Sequence, residues 1–217
     1  EEAESLGELS LLCHHLGDNR NAQVQAQQAL QIVGEVGDRS TQGQTLTRLG
    51  HALAGLNRLT EAAAAYRQAL ALHHELGQPY LAAEALAGLA RVAFAQGKIA
   101  DAWAYIDEIL SYLESGTLDG AAEPFRVYLT CYRICRSGAD PRAEAVLVAA
   151  HDLLQERVAK IDKAARQRSF LENVTAHREL IAAYQTLQVP LQEKRILVSL
   201  PRADSSPGRP LRYGEYV

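Results

Sequence analysis

The chain has 217 residues, 47% hydrophobic and 22% charged, with a net charge of −4. That composition excludes wholesale disorder, and no apolar run reaches the roughly 18 residues of a membrane span. The opening EEAES is acidic where a secretory signal needs a basic region, and no methionine occurs at any position, so a processed piece of a longer protein is the expectation.

Charge is unevenly spread. Residues 1–156 hold 11 basic and 20 acidic side chains, and residues 157–217 hold 11 and 6. The three cysteines, Cys13, Cys131 and Cys135, follow no framework spacing, which fits free thiols in a reducing cytoplasm.

From Glu1 onward the apolar residues recur with a period of 40. Leu6, Leu9, Ser10, Ala22, Ala26, Ala29 and Leu30 fall on Leu46, Leu49, Gly50, Ala62, Tyr66, Ala69 and Leu70. A second shift gives Leu86, Leu89, Ala90, Ala102, Ile106, Ile109 and Leu110. Within each copy the spacing is helical: Leu46, Leu49, Leu53 and Leu56 share one face. Polar turns at Gly17, Asn57 and Gly97 divide each copy into two helices, and Gly37 and Gly77 sit where a C′ glycine closes the second. Each unit is therefore a helical hairpin, predicted at about 1–38, 39–78 and 79–116. Small residues mark the points of closest helix contact, in mid-first helix (Ser10, Gly50, Ala90) and early in the second (Ala22, Ala62, Ala102). The four consecutive alanines of LTEAAAAYRQAL belong to that second contact.

A fourth hairpin, about 117–162, is distorted. Its first helix, EPFRVYLTCYRICRSG, carries the stripe Phe125, Tyr128, Tyr132 and Cys135 one residue early. Its second opens with Asp140 as N-cap and Pro141 as first helical residue, and Ala143, Leu147 and Ala150 stand 41 residues past their counterparts. Next, Arg166–Gln185 reads as two short helices broken near Asn173, within a cap spanning 163–187 that closes the stack. Residues 188–217 hold four of the seven prolines and read as a linker, with one possible strand at Arg195–Leu200.

Leu49-Gly50, Ala62, Tyr66 and Ala69 match in full the signature of the tetratricopeptide repeat, which the chain resembles; the other copies match in part. The resemblance implies an all-α, right-handed superhelical stack of antiparallel hairpins. Forty exceeds the usual 34-residue period, and HEAT-like helix pairs, which also run near 40, are the alternative.

No catalytic motif is present: neither phosphate loop, dinucleotide fingerprint, nucleophile elbow nor HExxH. No catalytic residue, metal site or cofactor is assigned. Cys131 and Cys135 stand one helical turn apart, but two thiols need two further ligands and none stands at a recognised spacing. His14-His15 and His73-His74 lie near helix C-termini, where an imidazole suits the helix dipole.

What remains is the concave groove lined by the first helices. In the family it resembles, ligand-contacting residues lie three before, one after and four after the small residue of that helix. Carried over, these are Gly7, Leu11 and His14; Thr47, His51 and Ala54; Ala87, Arg91 and Phe94. The slipped register adds Arg126, Thr130 and Arg133. His14, Thr47, His51, Arg91, Phe94, Arg126 and Arg133 would form a mildly basic wall suited to an acidic or extended peptide.

FLENVTAHRELIAAY and LPRADSSPGRPLR resemble segments of bacterial signal-transducing ATPases and transcriptional regulators of the LuxR/maltose-activator kind. The resemblance implies a cytoplasmic, non-catalytic interaction or sensor module, with other domains of the parent protein as partners and self-association open. A free-standing scaffold or chaperone-like adaptor is the alternative. Direct nucleic-acid binding is not expected, because an acidic repeat region repels phosphates, and no membrane contact is expected.

Overall fold

The computed structural model describes the backbone of residues 1–199 and the side chains of residues 1–187. Among the described residues there are ten helices and no strand: α1 (Glu2–His15), α2 (Asn19–Val36), α3 (Arg39–Gly55), α4 (Leu59–Glu75), α5 (Pro79–Ala95), α6 (Ile99–Leu113), α7 (Pro124–Ser137), α8 (Arg142–Ala159), α9 (Ala164–Asn173) and α10 (Thr175–Ser199). Consecutive helices pack antiparallel as hairpins, and each hairpin touches the next through its first helix.

The 40-residue period is physical. Ala22, Ala26 and Ala29 on α2, Ala62, Tyr66 and Ala69 on α4, and Ala102, Ile106 and Ile109 on α6 are all fully buried. Small residues bring the backbones together, and one large ring fills the remaining space. Tyr66 lies between Gly50 on α3 and Gly88 on α5, and a Cβ on Gly50 would come 2.5 Å from its ring. Ser10, the equivalent of Gly50, instead donates a 2.7 Å hydrogen bond to the Ala22 carbonyl.

The turns repeat as well. Gly17, Asn57 and Gly97, 40 apart, have φ of 83°, 61° and 73°. Asparagine tolerates this left-handed region better than other side chains, which is why it stands in for glycine in the second copy. Asp18 and Asp38 cap α2 and α3, accepting from the Asn21 and Thr41 N–H groups.

In the fourth hairpin, contacts show where the register slips. Arg91 reaches Thr130 and Glu84 reaches Glu123, both 39 residues on. Leu147 and Ala150 take the buried places of Ile106 and Ile109, 41 residues on. The turn between α7 and α8, residues 138–141, is one residue longer than the three-residue turns before it, and Ala139 takes in it the left-handed place of Gly17, Asn57 and Gly97, at φ 53°. Asp140 accepts from the Arg142 N–H at 2.8 Å, but the N-cap position of α8 falls on Pro141, just outside the helix instead of within it, and not on Asp140.

Helices α9 and α10 cover the far end. Leu180 is fully buried, His177 packs edge-on to Phe125 at 4.6 Å, and His151 stacks on Tyr184 at 3.7 Å. The break falls at Val174, whose extended backbone separates the two helices. Only α9 is short. The backbone of 195–199 continues α10 where a strand was expected, consistent with the strong helix formers Gln192, Glu193, Lys194 and Arg195. Leu200 and the rest of the expected tail lie outside the described residues.

Candidate binding groove

The connection between α6 and α7, residues 114–123, decides the shape of the inner face. Those between hairpins one and two, and two and three, are two and three residues long. This longer one buries Leu118, lays Gly120 against Tyr80, and brings Glu123 to the inner face beside α1 and α3. Its two carboxylate oxygens meet three cationic or polar partners. One accepts from His15 Nε2 at 2.7 Å, the other lies 3.2 Å from His51 Nε2, and Arg126 Nη1 donates at 2.9 Å. The Glu123 N–H donates to Glu84 Oε1 at 2.5 Å.

Behind Glu123 the network continues inward. His51 Nδ1 accepts from the Tyr66 hydroxyl at 2.6 Å and more weakly from Arg91 Nη2 at 3.4 Å; Arg91 Nη1 donates to Thr130. These partners fix His51 as the neutral tautomer with its proton on Nε2, facing Glu123. Burial, then the Arg126 charge, lowers its pKa to about 3; the same two causes lower His14 to about 4. Burial alone would raise the Glu123 carboxyl, but hydrogen bonds from His15 and His51, and the positive charge of Arg126, hold it well below the carboxylate range. For Glu84 burial outweighs the Glu123 N–H and the Arg48 charge and pushes it up to about 7.

Two cavities flank Glu123. The first, about 350 Å³, is lined by His14, His15, Arg91, Arg126, Arg133 and Thr130, and is walled on the far side by the α9–α10 junction, Asn173 to Ala176, and by Glu179. It brings together four of the seven candidate wall residues. The second, about 310 Å³, lies beyond Glu123 and includes Thr47 and His51. These two are buried, 3% and 4% exposed, with Glu123 against His51 and Gly120 and Ala122 lining the same cavity. They form no open wall, contrary to the sequence-based expectation. Phe94 stays exposed and lines a shallow cleft between α5, α7 and α10, joined to the first cavity through Leu129, Arg133 and Glu179.

Sequence reasoning missed His15, Glu123 and Glu179. Glu123 lies in the irregular connection, where the 40-residue period gives no guide, and Glu179 belongs to the cap. The Arg133–Glu179 ion pair bridges α7 and α10 across the cavity mouth.

Cys131 and Cys135 are both buried, and burial, then the neighbouring Cys135, pushes the Cys131 thiol up to about 12. Among the described residues no three His, Cys, Asp or Glu side chains gather into a ligand set, and no helix is long and apolar enough to cross a membrane.

No family model matches the sequence, and no curated protein matches it. Solved structures do match in fold. BtubC (BKLC) from P. vanneervenii aligns with a TM-score of 0.56 at 23% identity, over 99% of this chain and 87% of that one. Two structures of a Podosopora anserina putative kinesin light chain with nearly identical TPR-like repeats align at 0.53 and 0.52. Their identities are 15% and 16%, over 94% and 89% of this chain and 100% and 99% of theirs. The fold is thus an all-α stack of tetratricopeptide-like hairpins.

Proposed function

We propose that this chain is a non-catalytic protein-interaction and sensor module, the repeat portion of a larger bacterial regulator, and that it takes an acidic segment of a partner into the first cavity. The observation that carries this is the convergence of Arg91, Arg126 and Arg133 with His14 and His15 on one opening of peptide-side-chain size. Glu123 supports the same chemistry from within the chain, since this wall already holds one carboxylate through His15 and Arg126. Phe94, just outside, offers an aromatic surface for an apolar residue next to the acid. Because α1, α7 and α10 meet at the cavity, an occupant that separates Arg133 from Glu179 shifts the cap relative to the hairpins. That displacement is what neighbouring domains would sense.

A displayed pool of random peptides tests the reading. Acidic sequences should be enriched over basic ones, the enrichment should fade between low and high salt, and Arg133→Gln should weaken retained peptides about tenfold. Equal retention of acidic and basic peptides would refute the proposal.

A further inference from the structure

The outer face of α1 is apolar and bare. Leu9, Leu12 and Leu16 lie on one stripe of the helix and are 43%, 54% and 77% exposed. Three leucines in a row on an exposed helix face are unusual for a surface that meets only water. The repeat itself shows what such a face meets inside the stack. Two periods on, Leu89 and Val92 of α5 occupy the positions of Leu9 and Leu12 and are 2% and 3% exposed. They pack into one cluster with Leu53 of α3 and with Ala62, Ala65 and Tyr66 of α4, which is to say against the preceding hairpin. One period on, Ala52 holds the place of Leu12 and is fully buried.

Inside the stack this face meets the second helix of a hairpin, and the described residues of a second copy leave no such helix free. Among the described residues every second helix is already covered by the next hairpin or by the cap: α2 by α3, α4 by α5, α6 by α7, and α8 by α9 and α10. We propose that the outer face of α1 docks the second helix of a further hairpin of the same 40-residue kind, lying ahead of Glu1 in the same polypeptide. That helix would present small residues at the positions of Ala62 and Ala65, where leucine side chains of the next first helix find room. The junctions within the chain set the geometry: Gly37-Asp38 joins the first two hairpins with two residues, so a preceding hairpin fits with an equally short link. This inference is independent of the cavity, which lies at the other side of α1.

The test fuses a copy of residues 39–78 directly ahead of Glu1 of the whole chain. Hydrogen exchange of the α1 amides is then compared in the fused and unfused proteins. The expected result is at least about tenfold greater protection of α1 in the fusion, lost again when Leu9→Glu and Leu12→Glu are introduced together. Both sites are exposed, so the doubly substituted unfused chain should keep its helix content, which circular dichroism checks. Unchanged protection, or protection that survives the double substitution, overturns the proposal. So does a dimeric unfused chain that becomes monomeric with Leu12→Glu, since the face would then belong to a second copy.

Discussion

At the scale of single residues, the buried polar cluster makes stability depend on pH in opposing directions. His14 and His51 have folded pKa values of about 4 and about 3, below the ordinary 6.5. The unfolded chain therefore binds more protons between those values and 6.5, and stability falls as pH drops through that window. Glu84, raised to about 7 from 4.5, behaves in the reverse sense. Its folded form holds the proton that the unfolded form has lost, so acidification from 7 to 4.5 stabilises through it. Glu84→Gln removes the opposing contribution and keeps an acceptor for the Glu123 N–H. Thermal melts from pH 7 to 4.5 should then lose more stability in this variant than in the parent. The Gly50–Tyr66 contact makes a second test. Gly50→Ala gains up to about 1 kcal/mol of helix propensity but forces a methyl into the buried ring, a misfit of typically about 1–3 kcal/mol. Urea unfolding should show net destabilisation in the parent and a stabilising effect in a Tyr66→Leu background, where the propensity gain alone remains.

Among the elements, most of the hairpins were readable in the sequence because their determinants are local. Small residues at 40-residue spacing and turn residues at Gly17, Asn57 and Gly97 each act within a few residues of where they stand. The slip in the fourth hairpin was readable as a shift of the Phe125–Cys135 stripe. That the turn before α8 is one residue longer was not, because the turn shows itself only through the contacts on either side. Ala139 stands at the left-handed position that glycine or asparagine holds in the earlier turns, and an alanine at φ 53° costs about 1–2 kcal/mol relative to relaxed backbone. Ala139→Gly should raise the midpoint of denaturant unfolding, whereas the same change at well-placed Ala150 should lower it. Thr47 and His51 depart from expectation for a different reason. They do point toward the inner face, but the covering segment is irregular and carries no period from which its path can be read.

For the molecule as a whole, the same segment alters how the proposed groove is probed. Arg91 is tied to Thr130 and His51 behind the cavity, so reversing its charge would disturb the interior as well as any ligand. Arg133, at the mouth, is the cleaner position. Glu123 also joins parts of the stack that are distant along the chain, since His15 and Glu123 are 108 residues apart and belong to the first and fourth hairpins. Glu123→Ala should therefore open the coil, seen as a larger radius of gyration in X-ray scattering with helix content retained. Repeat stacks whose hairpins touch only their neighbours stretch and recoil like springs. Here a single carboxylate fastens the coil across its bore, so its pitch is pinned until that clasp lets go, and the chain should yield to tension in one abrupt step ahead of any helix unravelling.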